Sequence, residues 1–171
     1  DKFPFSSDAN ATDVGNLTEI RSGAAGQSSS ESGYGSGGTN SLSSVINAIE
    51  KFPFATDSNT TDVGDLTQSR SSAAGQSSSE CGYTSGGGPV ISNTIDKFPF
   101  SSDSNASDVG DLTQSRYNFA GQSSSESGYT SGGFVPPGVD TIDKFPFSSD
   151  ANATDVGNLT QARCGAAGTQ D

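Results

Sequence analysis

A five-residue element, Asp/Glu-Lys-Phe-Pro-Phe, occurs four times in this chain, starting at Asp1, Glu50, Asp96 and Asp143. A longer unit repeats around it with fixed internal spacing. Each lysine of the element stands 19 residues before an arginine: Lys2 and Arg21, Lys51 and Arg70, Lys97 and Arg116, Lys144 and Arg163. The first three arginines each stand 16 residues before a pair of glycines that begins at Gly37, Gly86 or Gly132. From that glycine to the next lysine the distance varies, at 14, 11 and 12 residues, so the repeats measure 49, 46 and 47 residues. Length variation confined to one stretch marks that stretch as a surface loop and the remainder as packed structure. A chain built this way folds as a series of like units, read here as one repeat domain over residues 1–171.

Composition alone argues for disorder. Ile, Leu, Val and Phe supply only 29 of the 171 residues, and the formal charge is −12. The repeat overrules that expectation, because a disordered tail has no reason to keep Phe, Gly, Tyr and Arg at constant offsets. All eight basic residues fall on the two repeat positions named above. No basic cluster is left to neutralise phosphates, which argues against nucleic acid or an anionic membrane surface as a partner. No apolar run approaches the roughly 18 residues of a membrane span, and no signal-peptide pattern is present.

Each unit reads as four short strands. "AGQSSS" and "SGYTSGG" are too rich in Gly, Ser and Tyr for a stable helix. "TIDKFPF" carries β-branched and aromatic residues, with Phe98 and Phe100 alternating onto one face. "DVGDLT" supplies Val63 and Leu66. The prolines of the Phe-Pro-Phe elements forfeit a ladder bond, so the third strand bulges or ends there. "SSESG" and "DSNTTD" between strands have turn chemistry. Four short strands in some 46 residues suggest a propeller blade, whose innermost strand, here "AGQSSS", must carry small side chains.

The order of Arg, a small-residue strand, Gly-Tyr-x-x-Gly-Gly, a variable loop, an aromatic strand and Asp-x-Asn-x-Thr resembles the kelch repeat. Arg70, Tyr83, Gly86, Gly87, Phe100 and Asp103 take the matching positions. The resemblance implies an all-β fold of kelch-like propeller blades, about 3.5 repeats of four strands each. The repeats would be 1–21 (third and fourth strands only), 22–70, 71–116, 117–163 and 164–171 (first strand only). Kelch repeats usually carry a Trp after the Asn-x-Thr turn; this chain has none, and Val14, Val63, Val109 and Val156 stand near that place. The repeats also resemble those of large structural proteins of marine bacterial viruses. Starting and stopping within a repeat is expected of part of a longer propeller, or of an edge completed by a neighbouring molecule.

Four turns alternate oxygen-bearing residues in the manner of half a calcium loop: Asp8 and Asn10, Asp57 and Asn59, Asp103 and Asn105, Asp150 and Asn152. Asp stands where such a loop wants Gly and no Glu follows at the twelfth position, so an Asx turn is the expected role, no cofactor is expected, and calcium stays open. Six N-glycosylation sequons, beginning at Asn10, Asn16, Asn59, Asn105, Asn152 and Asn158, come with these segments. Cys81 and Cys164 sit at different phases of the repeat, which predicts two free thiols. The chain has no His, so the usual imidazole-based triads and metal sites are absent, and no enzyme activity is expected.

What differs most between units is the loop in "TNSLSSVINAI", "GPVISNT" and "FVPPGVDT". Asn40, Leu42, Val45, Pro89, Val90, Phe134, Val135 and Pro136 are therefore the candidate binding residues, with Phe134, Val135 and Pro136 either exposed or packed under the blade edge. The expected role is a non-enzymatic structural or adhesive module of a virion or extracellular appendage. Its expected partners are other protein chains, through self-association or assembly into a larger particle. A self-assembling fibre or solenoid and a carbohydrate-binding propeller that contacts surface glycan are the alternatives.

Overall fold

The computed structural model describes residues 1–4 and 6–168, and among them there are fourteen strands and no helix. Strand β1 (Arg21–Ser22) leads into a first blade formed by β2 (Ala25–Ser28), β3 (Ser32–Ser36), β5 (Ala48–Pro53) and β6 (Thr61–Asp65). The short β4 (Thr39–Asn40), in the loop after β3, pairs back on β1. The second blade is β7 (Ala74–Ser77), β8 (Cys81–Gly87), β9 (Ser92–Pro99) and β10 (Ser107–Asp111). The third is β11 (Ala120–Ser123), β12 (Ser127–Ser131), β13 (Thr141–Pro146) and β14 (Thr154–Asn158). Each blade is an antiparallel meander in chain order, and the register repeats, with Tyr34 opposite Lys51, Tyr83 opposite Lys97 and Tyr129 opposite Lys144.

The four segments read from the sequence are the four strands of each complete blade. Pro53, Pro99 and Pro146 are the last residues of their strands, as their missing N–H requires. The first strands lie innermost, with β7 packed between β2 and β11. Glycine makes this approach possible: a Cβ on Gly75 would lie 2.0 Å from the Gly26 carbonyl oxygen, and one on Gly121 would lie 2.4 Å from that of Gly75. Serine hydroxyls complete the contact, with the backbone N–H of Ser28 donating to Ser77 Oγ (3.0 Å) and that of Ser77 to Ser123 Oγ (2.9 Å).

Between blades lies the apolar core. Tyr34 of the first blade stacks on Phe100 (4.8 Å between ring centres) and tilts against Phe98 of the second. Tyr83 repeats this on Phe147 and Phe145 of the third. Val63 and Val109, at the position near which kelch repeats carry Trp, pack into the same seams. A single sheet thus finds its second layer in the next sheet, which is how so small an apolar complement suffices.

Each linker between blades ends in Thr-x-x-Arg, and this arginine is buried. Arg116 donates through Nη1 to the carbonyls of Gly132 and Thr141 and through Nη2 to Asp143, 2.9 Å away, with both side chains fully buried. Thr113 closes on the same carboxylate with its backbone N–H (3.0 Å) and hydroxyl (2.7 Å). Thr67 and Arg70 hold Asp96 in the same way, and Thr18 and Arg21 hold Glu50. Burial holds the Arg116 guanidinium below its ordinary value, and the attraction of Asp143 offsets only part of that fall.

The two partial repeats are less regular than the complete blades. The repeat predicts a third and a fourth strand within residues 1–21; the described residues of 1–20 form no strand and show one bridge, between Lys2 and Thr12, in the register of Lys51 with Thr61 and Lys144 with Thr154. In the complete blades the second strand holds the third in register, and among the described residues no such strand lies beside residues 1–4. The repeat places an innermost strand in residues 164–171; residues 164–168 are not in a strand, yet the Gly165 N–H donates to the Asn118 carbonyl (2.8 Å) and a Cβ on Gly168 would lie 1.8 Å from the Gly121 carbonyl oxygen, as those of Gly75 and Gly121 do toward their neighbours. Residues 169–171 of that segment lie outside the described residues.

Gly75→Ala is expected to lower stability by about 1–3 kcal/mol through overpacking. Gly26→Ala has open space around its Cβ and should be neutral or slightly stabilising. Urea midpoints of the two variants check this. Asp143→Ala strands a buried guanidinium and should cost about 3–5 kcal/mol, whereas Arg116→Met with Asp143→Leu should cost less than that single change.

Candidate interaction surface

A four-stranded meander places its connections alternately at its two ends. The loop between second and third strands and the linker between blades share one end; the other two turns share the other. The variable sequence is therefore gathered at a single end. There, Leu42 is 83% exposed and Val90 81%, Ile20 of the first linker is exposed to a similar degree, and Leu17 and Ile91 are exposed to a lesser one.

The loops are stitched to the linkers beneath them. Ser71 bridges to Gly88 and Tyr117 to Phe134, repeating the pairing of β1 with β4. Asn40 organises its own loop: its Oδ1 accepts the N–H groups of Leu42 and Ser44, while Nδ2 donates to Glu19. Val45 is half-buried and bridges to Thr39, and Pro89 is exposed. Of the two placements open for Phe134, the structure shows the packed one, edge-on against Tyr117 with ring centres 5.6 Å apart. Val135 is half-buried beside it and Pro136 is exposed. A cavity of about 340 Å³ opens between Pro89 and Ile91 of one loop and Tyr117 of the next linker, floored by Ser71 and Ser72. Ile91 and Tyr117 were not among the residues singled out from sequence. The available signal for Tyr117 was its bulk at a position held by Ser22, Ser71 and Cys164 in the sister units.

At the opposite end the acidic turns bind neighbouring blades. Asn59 Oδ1 accepts the Asn16 N–H, Asn105 that of Asp65, and Asn152 that of Asp111, each at 3.0 Å. The aspartates turn to other partners: Asp57 pairs with Lys2, Asp103 with Lys51 and Asp150 with Lys97. The oxygens that would share a cation in a calcium loop thus serve separate partners, and among the described residues no group of three or more acidic, His or Cys side chains is placed to hold a metal. Asp8 and Asn10 are exposed.

Two openings lie at this end. One, of about 370 Å³, is walled by Ser28 and by the serines at 77–79 and 123–125 around the innermost strands. The other is a cleft of about 650 Å³ between the second and third blades, lined by hydroxyls together with Glu80, Lys97, Glu126 and Phe147. Tyr83 forms its floor, and burial, with a contribution from Cys81, raises that phenol from the ordinary 10.0 to about 12. Burial also raises the Cys81 thiol, against the pull of Lys97. Cys81 and Cys164 are both free thiols.

No family model and no curated protein matches the chain. The solved structure of YjhT superposes on it with a TM-score of 0.67 over 84% of this chain at 14% identity. The likeness is one of fold. This chain spans about half (54%) of the length of that structure. Among the described residues no helix is long and apolar enough to cross a membrane, which does not bear on β-barrels.

The raised Tyr83 pKa gives a signed prediction. The fold favours the neutral phenol, so its contribution is fully present below about pH 10 and is lost as the pH climbs through about 12. Urea midpoints measured from about pH 9 to about pH 12 should fall over that window, and Tyr83→Phe should make the fall shallower.

Proposed function

We propose that this chain is a kelch-like propeller segment serving as a structural or adhesive module, with the variable loops as its contact surface. The observation that carries the reading is the exposure of Leu42, Val90 and Ile91 on segments that gather at one end of the blades. Large apolar side chains held in solvent on rigid supports suit partner contact, and loops on a repetitive scaffold can change without disturbing the core. The cavity bounded by Pro89, Ile91 and Tyr117 adds a concave element to that surface. The absence of His from the sequence supports a non-enzymatic role. The virion or extracellular setting rests on the sequence resemblance alone.

The cleft between the second and third blades favours a second reading, carbohydrate binding. Serine hydroxyls, the carboxylates of Glu80 and Glu126 and the ring of Phe147 together suit a polyhydroxylated ligand.

A glycan array and a panel of candidate surface proteins, probed with the 171-residue chain, separate the readings. Leu42→Asp with Val90→Asp should leave stability within about 0.5 kcal/mol, as exposed substitutions do. The proposal expects this variant to lose binding. Loss of glycan binding on Glu126→Gln, with the loop variant unaffected, would transfer the function to the cleft.

A further inference from the structure

We infer that the clefts at the two seams between complete blades take an oligosaccharide of amino sugars, selected by its positive charge over neutral and acidic glycans. The inference rests on the carbohydrate reading of the larger cleft and names its ligand class. That cleft, between the second and third blades, has a counterpart between the first and second, an opening of about 370 Å³. Both are built from the same parts. Each takes one glutamate from each flanking blade, on the turn joining first and second strands: Glu31 and Glu80 in the smaller, Glu80 and Glu126 in the larger. Each also takes serines of those turns and the second phenylalanine of the later blade's Phe-Pro-Phe element, Phe100 or Phe147.

The turn chemistry fixes these groups relative to one another. A serine two residues before each glutamate accepts, on its hydroxyl, the N–H of the glutamate and of the residue after it. The distances are 3.3 and 2.9 Å at Ser78, and 3.3 and 3.1 Å at Ser124. The glutamate's own carbonyl then accepts the phenylalanine N–H, Glu80 from Phe100 (2.8 Å) and Glu126 from Phe147 (2.9 Å). The tyrosine of the preceding blade stacks on one face of that ring, with ring centres 4.8 Å apart at both seams. Carboxylate and ring are thus carried on backbone that is already ordered, which lowers the cost of binding.

Charge decides the ligand. Glu31, Glu80 and Glu126 are exposed, and among the described residues none of them forms an ion pair. Lys97, which lines the larger cleft, is claimed by Asp150, and among the described residues no basic side chain lines the smaller one. Each cleft therefore holds two carboxylates without a counter-charge, on a chain of formal charge −12. An acidic sugar would be repelled. A neutral one would use the serines and the ring but gain nothing from the charge. A lysine side chain of a protein partner would satisfy the carboxylates but brings no hydroxyls to the serines. A protonated amino sugar does both, and its ammonium beside an aromatic ring adds a cation–π attraction.

Isothermal titration of the 171-residue chain with a glucosamine trimer, its N-acetylated counterpart and trilysine tests this. Low salt and about pH 6 keep an amine of ordinary basicity protonated. The glucosamine trimer should bind at least about five-fold more tightly than either of the others. Glu80→Gln should weaken it about three-fold at both clefts, whereas Glu31→Gln and Glu126→Gln should each act at one. None of the three variants should move the urea midpoint, since these side chains are exposed. Equal affinity for the free and acetylated trimers would overturn charge selection and leave the carbohydrate reading standing. Binding of neither trimer would overturn both. Trilysine binding as tightly as the glucosamine trimer would show that charge alone suffices, as for a basic peptide, and would overturn the inference. So would a Glu80→Gln variant that binds as the wild type does.

Discussion

The buried arginine of each linker is the constraint on which the rest of the structure depends. Its guanidinium spans a glycine carbonyl at the end of the second strand and a carbonyl near the start of the third, and its remaining charge is met by the carboxylate of the third strand. Burying such a charge is costly unless its donors are matched, and in all three described instances only Nε lacks a partner. One side chain therefore fixes where a linker enters, how two strands are spaced and which way the next blade faces. Apolar contact, being non-directional, could not specify that geometry alone.

Around that anchor the apolar residues settle between sheets. Each blade is a single layer that is stable because the next blade covers it, so cohesion is a nearest-neighbour property of the kind found in repeat proteins. The tyrosine against Phe-Pro-Phe contact, the lysine with its aspartate and the asparagine with its backbone N–H all act across seams. Where the converging inner strands come closest, glycine stands in the contact, because a Cβ on Gly75 or Gly121 would meet the neighbouring carbonyl. Variation is left to the loops at one end, where length and polarity can change without touching a seam.

Much of this was legible before any coordinates. Fixed spacing located the four strands, the variable loop and the strand-ending prolines, because period and turn chemistry are local properties. The Asp-x-Asn turns were harder to read: sequence shows that oxygens are adjacent but not where they point, and the lysine and N–H group that claim them lie about 40 to 55 residues away. Phe134 was the same kind of problem, since its packing against Tyr117 depends on a linker 17 residues earlier. The strands expected in residues 1–21 are reduced there to the bridge of Lys2 with Thr12, because a strand needs neighbours as well as propensity.

By itself the sequence determined the repeat, the strand order, the small inner strand and the confinement of variability to one loop, since each is written in residue type and spacing along the chain. The tertiary structure decided which carboxylate meets which cation and which apolar loop residues stay in solvent. Those outcomes depend on contacts between units, and a contact between units is a distance in space that no spacing along the chain encodes.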